Sequence, residues 1–408
     1  LSFKFRVRKF MKLFKSLLVA PATLGLLAPM SVTANELNIA DVSGYSSSEE
    51  VESISDFDAA KELAVTNSRV DGLEARFNDF EAGSFSDTTV AAFSADFLIG
   101  AVDGSTTSEA VSATYGYQID LSTSFTGEDT FAVSLDAGSG AAALGEADLN
   151  SGSDALTVDG ISYQFPVGDK TQVVVGDSID GSTLFSTACV YGGFTNTLDD
   201  CGNASSGIAG ATNGSVGASA SYDIGGGWTG AVGYNGEGSV ADGLLTKAGQ
   251  DLYAAQVGYT ADSYGISLTM ANVESATKTS TTLNEYYADT TYYAVNAYWT
   301  PEETGVVPSI SVGFENGNVE ADETTATDTN QWFVGFQWDE AGEGVLGAAI
   351  GSSGPQASDA AEDLSMYEVF YSYPLNDGVT ITPAIYVQEQ AAGTDDLTGV
   401  MVKTSFSF

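Results

Sequence analysis

The sequence predicts an all-β protein: a transmembrane up-and-down antiparallel β-barrel of about sixteen strands, preceded by a short N-terminal coiled-coil helix. Three observations predict it. From residue 88 onward, apolar residues recur at every second position in one segment after another, the pattern of strands with one oily and one polar face. The connections between these segments alternate between tight turns and long loops. The chain also ends on GVMVKTSFSF, with Val400, Val402, Thr404, Phe406 and Phe408 on one face and Met401, Lys403, Ser405 and Ser407 on the other. Termini are normally polar and frayed, whereas this one keeps a strand pattern to its last residue.

The first element, residues 1–34, reads as an export signal. Met11 opens MKLFKSLLVAPATLGLLAPMSVTA, in which Lys12 and Lys15 form a charged region and Ser16 to Met30 an apolar core. Val32 and Ala34 place small residues at the −3 and −1 positions for cleavage before Asn35. Residues 1–10 lengthen the charged region or precede a start at Met11. The apolar stretch is too short for a membrane anchor and is broken by Pro21 and Pro29. Residues 35–56 are polar and acidic and read as a flexible lead. A helix is expected over 57–82, with Ser55 and Asp58 in capping-box spacing. Leu63, Thr66, Val70, Leu73, Phe77 and Phe80 then recur at alternating intervals of three and four, the seam of a coiled coil. A helix lying on its own domain is the plainer reading of that seam.

The barrel segment, 88–408, is expected to hold strands at 88–101, 110–124, 129–138, 154–165, 170–178, 216–223, 228–236, 251–260, 263–273, 289–300, 307–316, 328–339, 344–351, 363–373, 378–388 and 396–408. YGISLTMA shows the alternation: Tyr264, Ile266, Leu268 and Met270 against Gly265, Ser267, Thr269 and Ala271. Connections after even strands are short (PVGD, IGGG, PLND), while those after odd strands include 139–153, 179–215, 237–250 and 274–288. A barrel crossing an outer membrane sorts its loops in this way, with short turns on one rim and longer loops on the other. A soluble sandwich has no reason to do so. In a closed barrel the last strand pairs with the first, so no tail can be left inside the membrane band. The four tryptophans, Trp228, Trp299, Trp332 and Trp338, read as interfacial girdle residues rather than ligand platforms.

Composition narrows the function. Of 408 residues 55 are acidic and 13 basic, and histidine is absent. From residue 88, 42 carboxylates face four lysines and no arginine. Such a surface repels nucleic acid, which needs clustered Lys and Arg. Without histidine there is no Ser–His constellation, and no metal-ligand cluster stands out, so neither an enzyme, a cofactor nor a bound metal is expected.

The longest connection, 179–215, follows the fifth strand and holds both cysteines. Cys189 and Cys201, twelve apart in an exported chain, are expected to form a disulfide. A loop in that position that folds into the lumen would narrow it, and Asp180, Asp199 and Asp200 are the constriction candidates. With acidic loop residues and no arginine opposite, the expected passage is cation-preferring or weakly selective. The acidic stretch 320–328 is a solvated loop or a site for divalent ions bridging lipopolysaccharide.

The segments ELNIADVSGY, VESISDF, VDGLEARFNDFEAGSFSDTT and the terminal TSFSF together resemble cyanobacterial outer-membrane porins, the group labelled iron-uptake porins and related to carbohydrate-selective porins. The resemblance runs over nearly the whole chain from residue 35. It implies a sixteen-stranded, trimeric channel in outer-membrane lipid, passing small solutes by diffusion. It also implies that Phe406 and Phe408 form the C-terminal signature read by the barrel-assembly machinery. Members of that group usually carry an S-layer homology domain before the coiled coil. Here ESISDFDAAKEL passes straight into the heptads, so anchoring to peptidoglycan is not expected. A secreted acidic β-rich structural or surface-layer protein is the alternative; it shares the export signal and acidity but not the sorted loops.

Overall fold

A computed structural model of the chain describes residues 89–147, 149, 154–203, 215–237, 243–246, 249–274, 289–303, 305–320, 327–360 and 362–408. The export signal, the acidic lead and the coiled-coil seam lie outside these residues. Sixteen antiparallel staves close on themselves. In chain order they are β1 (Thr89–Asp103), β2 (Ser112–Thr123), β3 (Thr130–Ser139), β4 (Thr157–Val167), β5 (Thr171–Asp177), β6 (Ser215–Gly225), β7 (Trp228–Glu237) and β8 (Asp251–Thr260). They continue with β9 (Tyr264–Val273), β10 (Thr290–Trp299), β11 (Ser309–Val319), β12 (Thr329–Ala341), β13 (Gly344–Ser352), β14 (Ser365–Asn376), β15 (Val379–Gln388) and β16 (Leu397–Ser407). Each stave pairs with its sequence neighbour, and β1 also pairs with β16, from Ser94 opposite Ser407 to Asp103 opposite Thr398. A two-residue ladder, Gln356–Ala357, adds to β12 within a loop.

The expected strands recur within two or three residues of these bounds. Two end three residues later than the sequence suggests. β11 continues to Val319, and β14 runs on through Pro374, where the register slips between Pro374 and Asn376. A proline has no N–H to give a ladder, which favours an irregularity at such a position.

The connections sort as expected. The rim carrying the start of β1 and the end of β16 has the tight turns 226–227, 342–343 and 377–378, and the opposite rim carries the long loops. In the β6–β7 turn, Gly225, Gly226 and Gly227 all take positive φ (100°, 64° and 87°), a backbone that side-chain-bearing residues rarely adopt.

Exposure inverts the rule for water-soluble proteins. Outward positions on the staves are large, apolar and open to the surroundings, as with Phe97, Val232, Val257, Leu268, Val295, Phe314 and Val369. Inward positions are polar and enclosed, as with Ser219, Asn235, Gln256, Asn296, Ser311, Glu315, Gln331 and Glu368. An apolar outside with a polar inside is the layering of a barrel that faces lipid. No helix among the described residues is long and apolar enough to cross a membrane.

Aromatic rings gather at the tight-turn rim: Trp228 packs at a tilt against Tyr259 (4.9 Å between centroids), and Tyr259 against Tyr264 (5.8 Å). Trp299 ends β10 and Trp338 lies three residues before the end of β12 at the same rim, while Trp332 sits near the opposite end of β12. The seam belongs to this girdle. Phe408 donates its N–H to Phe93 O and accepts from Phe93 N, both at 3.0 Å, and their rings stack at 5.8 Å. Phe406 meets Phe97 edge-on at 5.9 Å.

Candidate functional site

The connection after β5 leaves the wall at residue 178 and runs inside the barrel. Its path is set by polar groups that the staves aim inward. Asn235 on β7 receives Gly181 N–H on its Oδ1 and donates from Nδ2 to Ile179 O at 2.7 Å. Gln256 on β8 accepts from Ser186 N (2.7 Å) and donates back to Ser186 O (2.8 Å). Asn296 on β10 donates to Thr187 O at 3.1 Å. Ser311 on β11 accepts from Val190 N and Tyr191 N (3.1 and 3.2 Å), and Gln337 on β12 from Gly192 N (3.1 Å). A loop lying in a barrel must satisfy its backbone there, and these side chains do so stave by stave. Room for the loop comes from inward glycines. A Cβ on Gly233 would run into the Gly181 carbonyl, and one on Gly217 into that of Ile179.

The loop is clamped at its far end by Glu368 of β14. One carboxylate oxygen accepts from Tyr191 Oη (2.6 Å) and Phe194 N (3.2 Å); the other accepts from Thr195 N (2.9 Å) and Thr195 Oγ1 (2.6 Å). Burial, with the Glu368 charge beside it, pushes the Tyr191 hydroxyl well above the ordinary tyrosine value, so it stays a donor. Beyond the clamp, Thr197 Oγ1 donates to Glu146 Oε2 at 2.9 Å in a short 3₁₀ helix, Ala142–Ala147. Tyr191, Phe194, Leu198 and Cys201 then pack with Leu144, Leu98, Phe333, Met366, Phe370 and Met401 into an enclosed apolar cluster inside the barrel. Sixteen staves enclose more space than wall side chains can fill; the loop and this cluster take up part of it.

The disulfide expected between Cys189 and Cys201 is present, with Cα atoms 5.9 Å apart. It ties the stretch that crosses β10 and β11 to the turn at Asp199–Gly202. Closing a segment of this length contributes about 3 kcal/mol by chain entropy.

The three constriction candidates are all on this loop, but they are not gathered at one point. Asp180 lies at its start beside β7, where Thr183 N and Oγ1 donate to its carbonyl (3.1 and 2.6 Å). Asp199 and Asp200 lie at its end against β11 and β12, and Asp199 Oδ1 accepts from Gly193 N at 2.7 Å. Asp180 and Asp200 keep exposed surface, yet protein atoms crowd them, and the lost hydration raises both carboxyls above 3.8; Asp199 adds to the rise at Asp200.

The wall that the described part of the loop leaves uncovered carries acidic residues that the sequence pattern does not single out. Asp96 on β1, Asp120 on β2, Asp136 on β3 and the bulge residue Asp159 on β4 share the inward side. Asp159 is within electrostatic reach of Asp136 and Asp120. Asp120 accepts from Gln118 Nε2 (2.9 Å) and Ser134 Oγ (2.7 Å), and Asp136 from Thr157 Oγ1 (2.7 Å). No group of three or more such ligands among the described residues is placed to hold a metal ion. The signal was available as strand parity: in YQIDLS, Asp120 falls opposite Ile119 and Leu121.

No family model matches the sequence, and no curated protein matches it. Solved structures match in fold. Pseudomonas putida OprB, in a high-pH structure, is 12% identical with a TM-score of 0.56, over 79% of this chain and 94% of that one. A loop-deletion mutant of OmpT, an outer membrane protein of Vibrio cholerae, is 12% identical with a TM-score of 0.54, over 79% of this chain and 100% of that one. A variant of the Rh. blastica porin is 13% identical with a TM-score of 0.48, over 78% of this chain and 100% of that one. At these identities the likeness is one of fold.

Proposed function

We propose that the chain is an outer-membrane porin, a water-filled passive diffusion channel for small hydrophilic solutes and ions with a preference for cations. The observation that carries the proposal is a closed sixteen-stave barrel whose apolar side faces out and whose longest loop is hydrogen-bonded across the polar inside. The inward wall of Asp96, Asp120, Asp136 and Asp159 supports cation preference, because charge lining a narrow passage with low-dielectric walls sets which ions concentrate there. The exposed apolar exterior speaks against a secreted structural protein, since patches of this extent on soluble monomers are rare.

The finer parts of the reading rest on the sequence. Residues 1–34 direct export, 35–56 are a flexible lead, 57–82 form a coiled coil that favours a homotrimer, and Phe406 and Phe408 address the chain to the assembly machinery. The resemblance to iron-uptake and carbohydrate-selective porins extends the solute class to inorganic ions, iron among them, and sugars. Purified protein in planar bilayers under a KCl gradient tests the core of the proposal. Ohmic steps with a reversal potential of the cation-selective sign are expected; no conductance, or anion preference, refutes it.

A further inference from the structure

Lys403 is the one basic side chain on the described staves, facing a bore whose charged inward residues are otherwise carboxylates such as Asp96, Asp120, Asp136 and Glu368. Lys403 on β16 points inward, with its Nζ 5.3 Å from the centre of the Phe194 ring, and no carboxylate among the described residues forms an ion pair with it. It borders a recess of about 320 Å³ between the loop tip and the staves β14, β15 and β16. The walls are Gly192, Gly193, Phe194 and Phe370 on the apolar side, with Ser372, Thr380, Thr382 and Ser405 supplying hydroxyls. Ser372 and Thr382 are hydrogen-bonded to each other at 3.2 Å.

We propose that this recess is a solute subsite for a small hydroxycarboxylate, the carboxylate meeting Lys403 and the hydroxyls meeting Ser372, Thr380, Thr382 and Ser405. An ammonium is a point-charge partner for a carboxylate. A lysine retained solely to fix the loop through Phe194 would need no row of hydroxyls and no open space beside it. The size is at the lower end of small-molecule sites, and the mix of apolar walls with a few convergent polar groups is the usual composition of such sites. A neutral polyol of the same length lacks the charged contact and binds more weakly.

The proposal deepens the porin reading, and its test is a binding measurement that does not depend on conductance. Gluconate and sorbitol are offered to the detergent-purified full chain, and saturation transfer to each is read by NMR. The expected result is millimolar binding of gluconate, at least fivefold weaker for sorbitol, with gluconate binding reduced at least fivefold in Lys403→Gln and kept in Lys403→Arg. Gly192 borders the recess, and a Cβ added there would meet nothing within 4 Å. Gly192→Leu therefore adds bulk at the border of the recess with the charge in place, and it too is expected to reduce gluconate binding at least fivefold. Heat-modifiable gel mobility reports folding of each variant, and Gly192→Leu decides the matter if Lys403→Gln does not fold. No transfer to gluconate, equal transfer to sorbitol, or gluconate binding undiminished in the folded variants overturns the subsite. A chain that binds gluconate through Lys403 yet passes no KCl current fails as a channel while keeping the subsite.

Discussion

Replacing Glu368 by glutamine should loosen the loop without disturbing the barrel. The carboxylate receives four hydrogen bonds, two on each oxygen. In the amide, one side becomes an NH₂ that must face one of these pairs. The hydroxyls of Tyr191 and Thr195 can turn and accept from it, but the backbone N–H of Phe194 or of Thr195 cannot. One buried N–H thus loses its acceptor, and a hydrogen bond to a charged group is worth about 1.5–3 kcal/mol. By the conversion of 1.4 kcal/mol per tenfold, the fraction of time the loop end is detached rises roughly 10- to 150-fold. Single-channel recording at symmetric KCl reads this as frequent excursions to a higher conductance. Heat-modifiable mobility should be unchanged, because the staves keep their ladders. Traces with wild-type current level and noise in a correctly folded Glu368→Gln channel would refute the view that this residue holds the constriction.

Other outcomes follow from the same geometry. Asp120→Asn with Asp136→Asn removes two inward charges and should move the reversal potential in a KCl gradient toward zero; an unchanged potential places selectivity elsewhere. Reducing Cys189–Cys201, or replacing both by serine, should broaden the open-channel current distribution, and thiol titration of the untreated protein should find no free thiol. Asp129 accepts from Ser124, Phe125, Thr126 and Tyr163 at the β2–β3 turn, and these bonds, led by the Tyr163 hydroxyl, hold its carboxyl well below 3.8. A lowered carboxyl stabilises the fold above the unfolded-state value and loses that contribution as pH falls through the folded-state value. Asp129→Asn should therefore lower thermal resistance at neutral pH and converge on wild type in strong acid. Asp180 and Asp200 shift the other way, so they take up protons at a higher pH than an unperturbed aspartate, and their share of cation preference should begin to fall above pH 3.8.

The staves could be read from the sequence because lipid enforces a strict period of two on the outward side, as in Tyr264, Ile266, Leu268 and Met270. The lumen loop could be read from its length, its position after the fifth strand and its two cysteines. Its anchors could not. Glu368 sits in MYEVFY, where parity turns it inward but nothing distinguishes a residue bathed in water from one that clamps a loop. Asn235, Gln256 and Ser311 share that ambiguity, since an inward polar side chain suits both roles. The acidic wall was hidden for a different reason. Asp120, Asp136 and Asp159 are spread over forty residues and meet only once β2, β3 and β4 are in register.

The pairing of Thr89–Asp103 with Leu397–Ser407 also constrains how the molecule is made. The earliest stave waits for the latest, a separation that makes spontaneous zipping slow. Until both have been delivered, two unsatisfied borders remain open to foreign strands. A chaperone that shields those borders during transit, and a catalyst that brings them together at the membrane, would address the one step that neighbour-by-neighbour hairpin growth cannot accomplish.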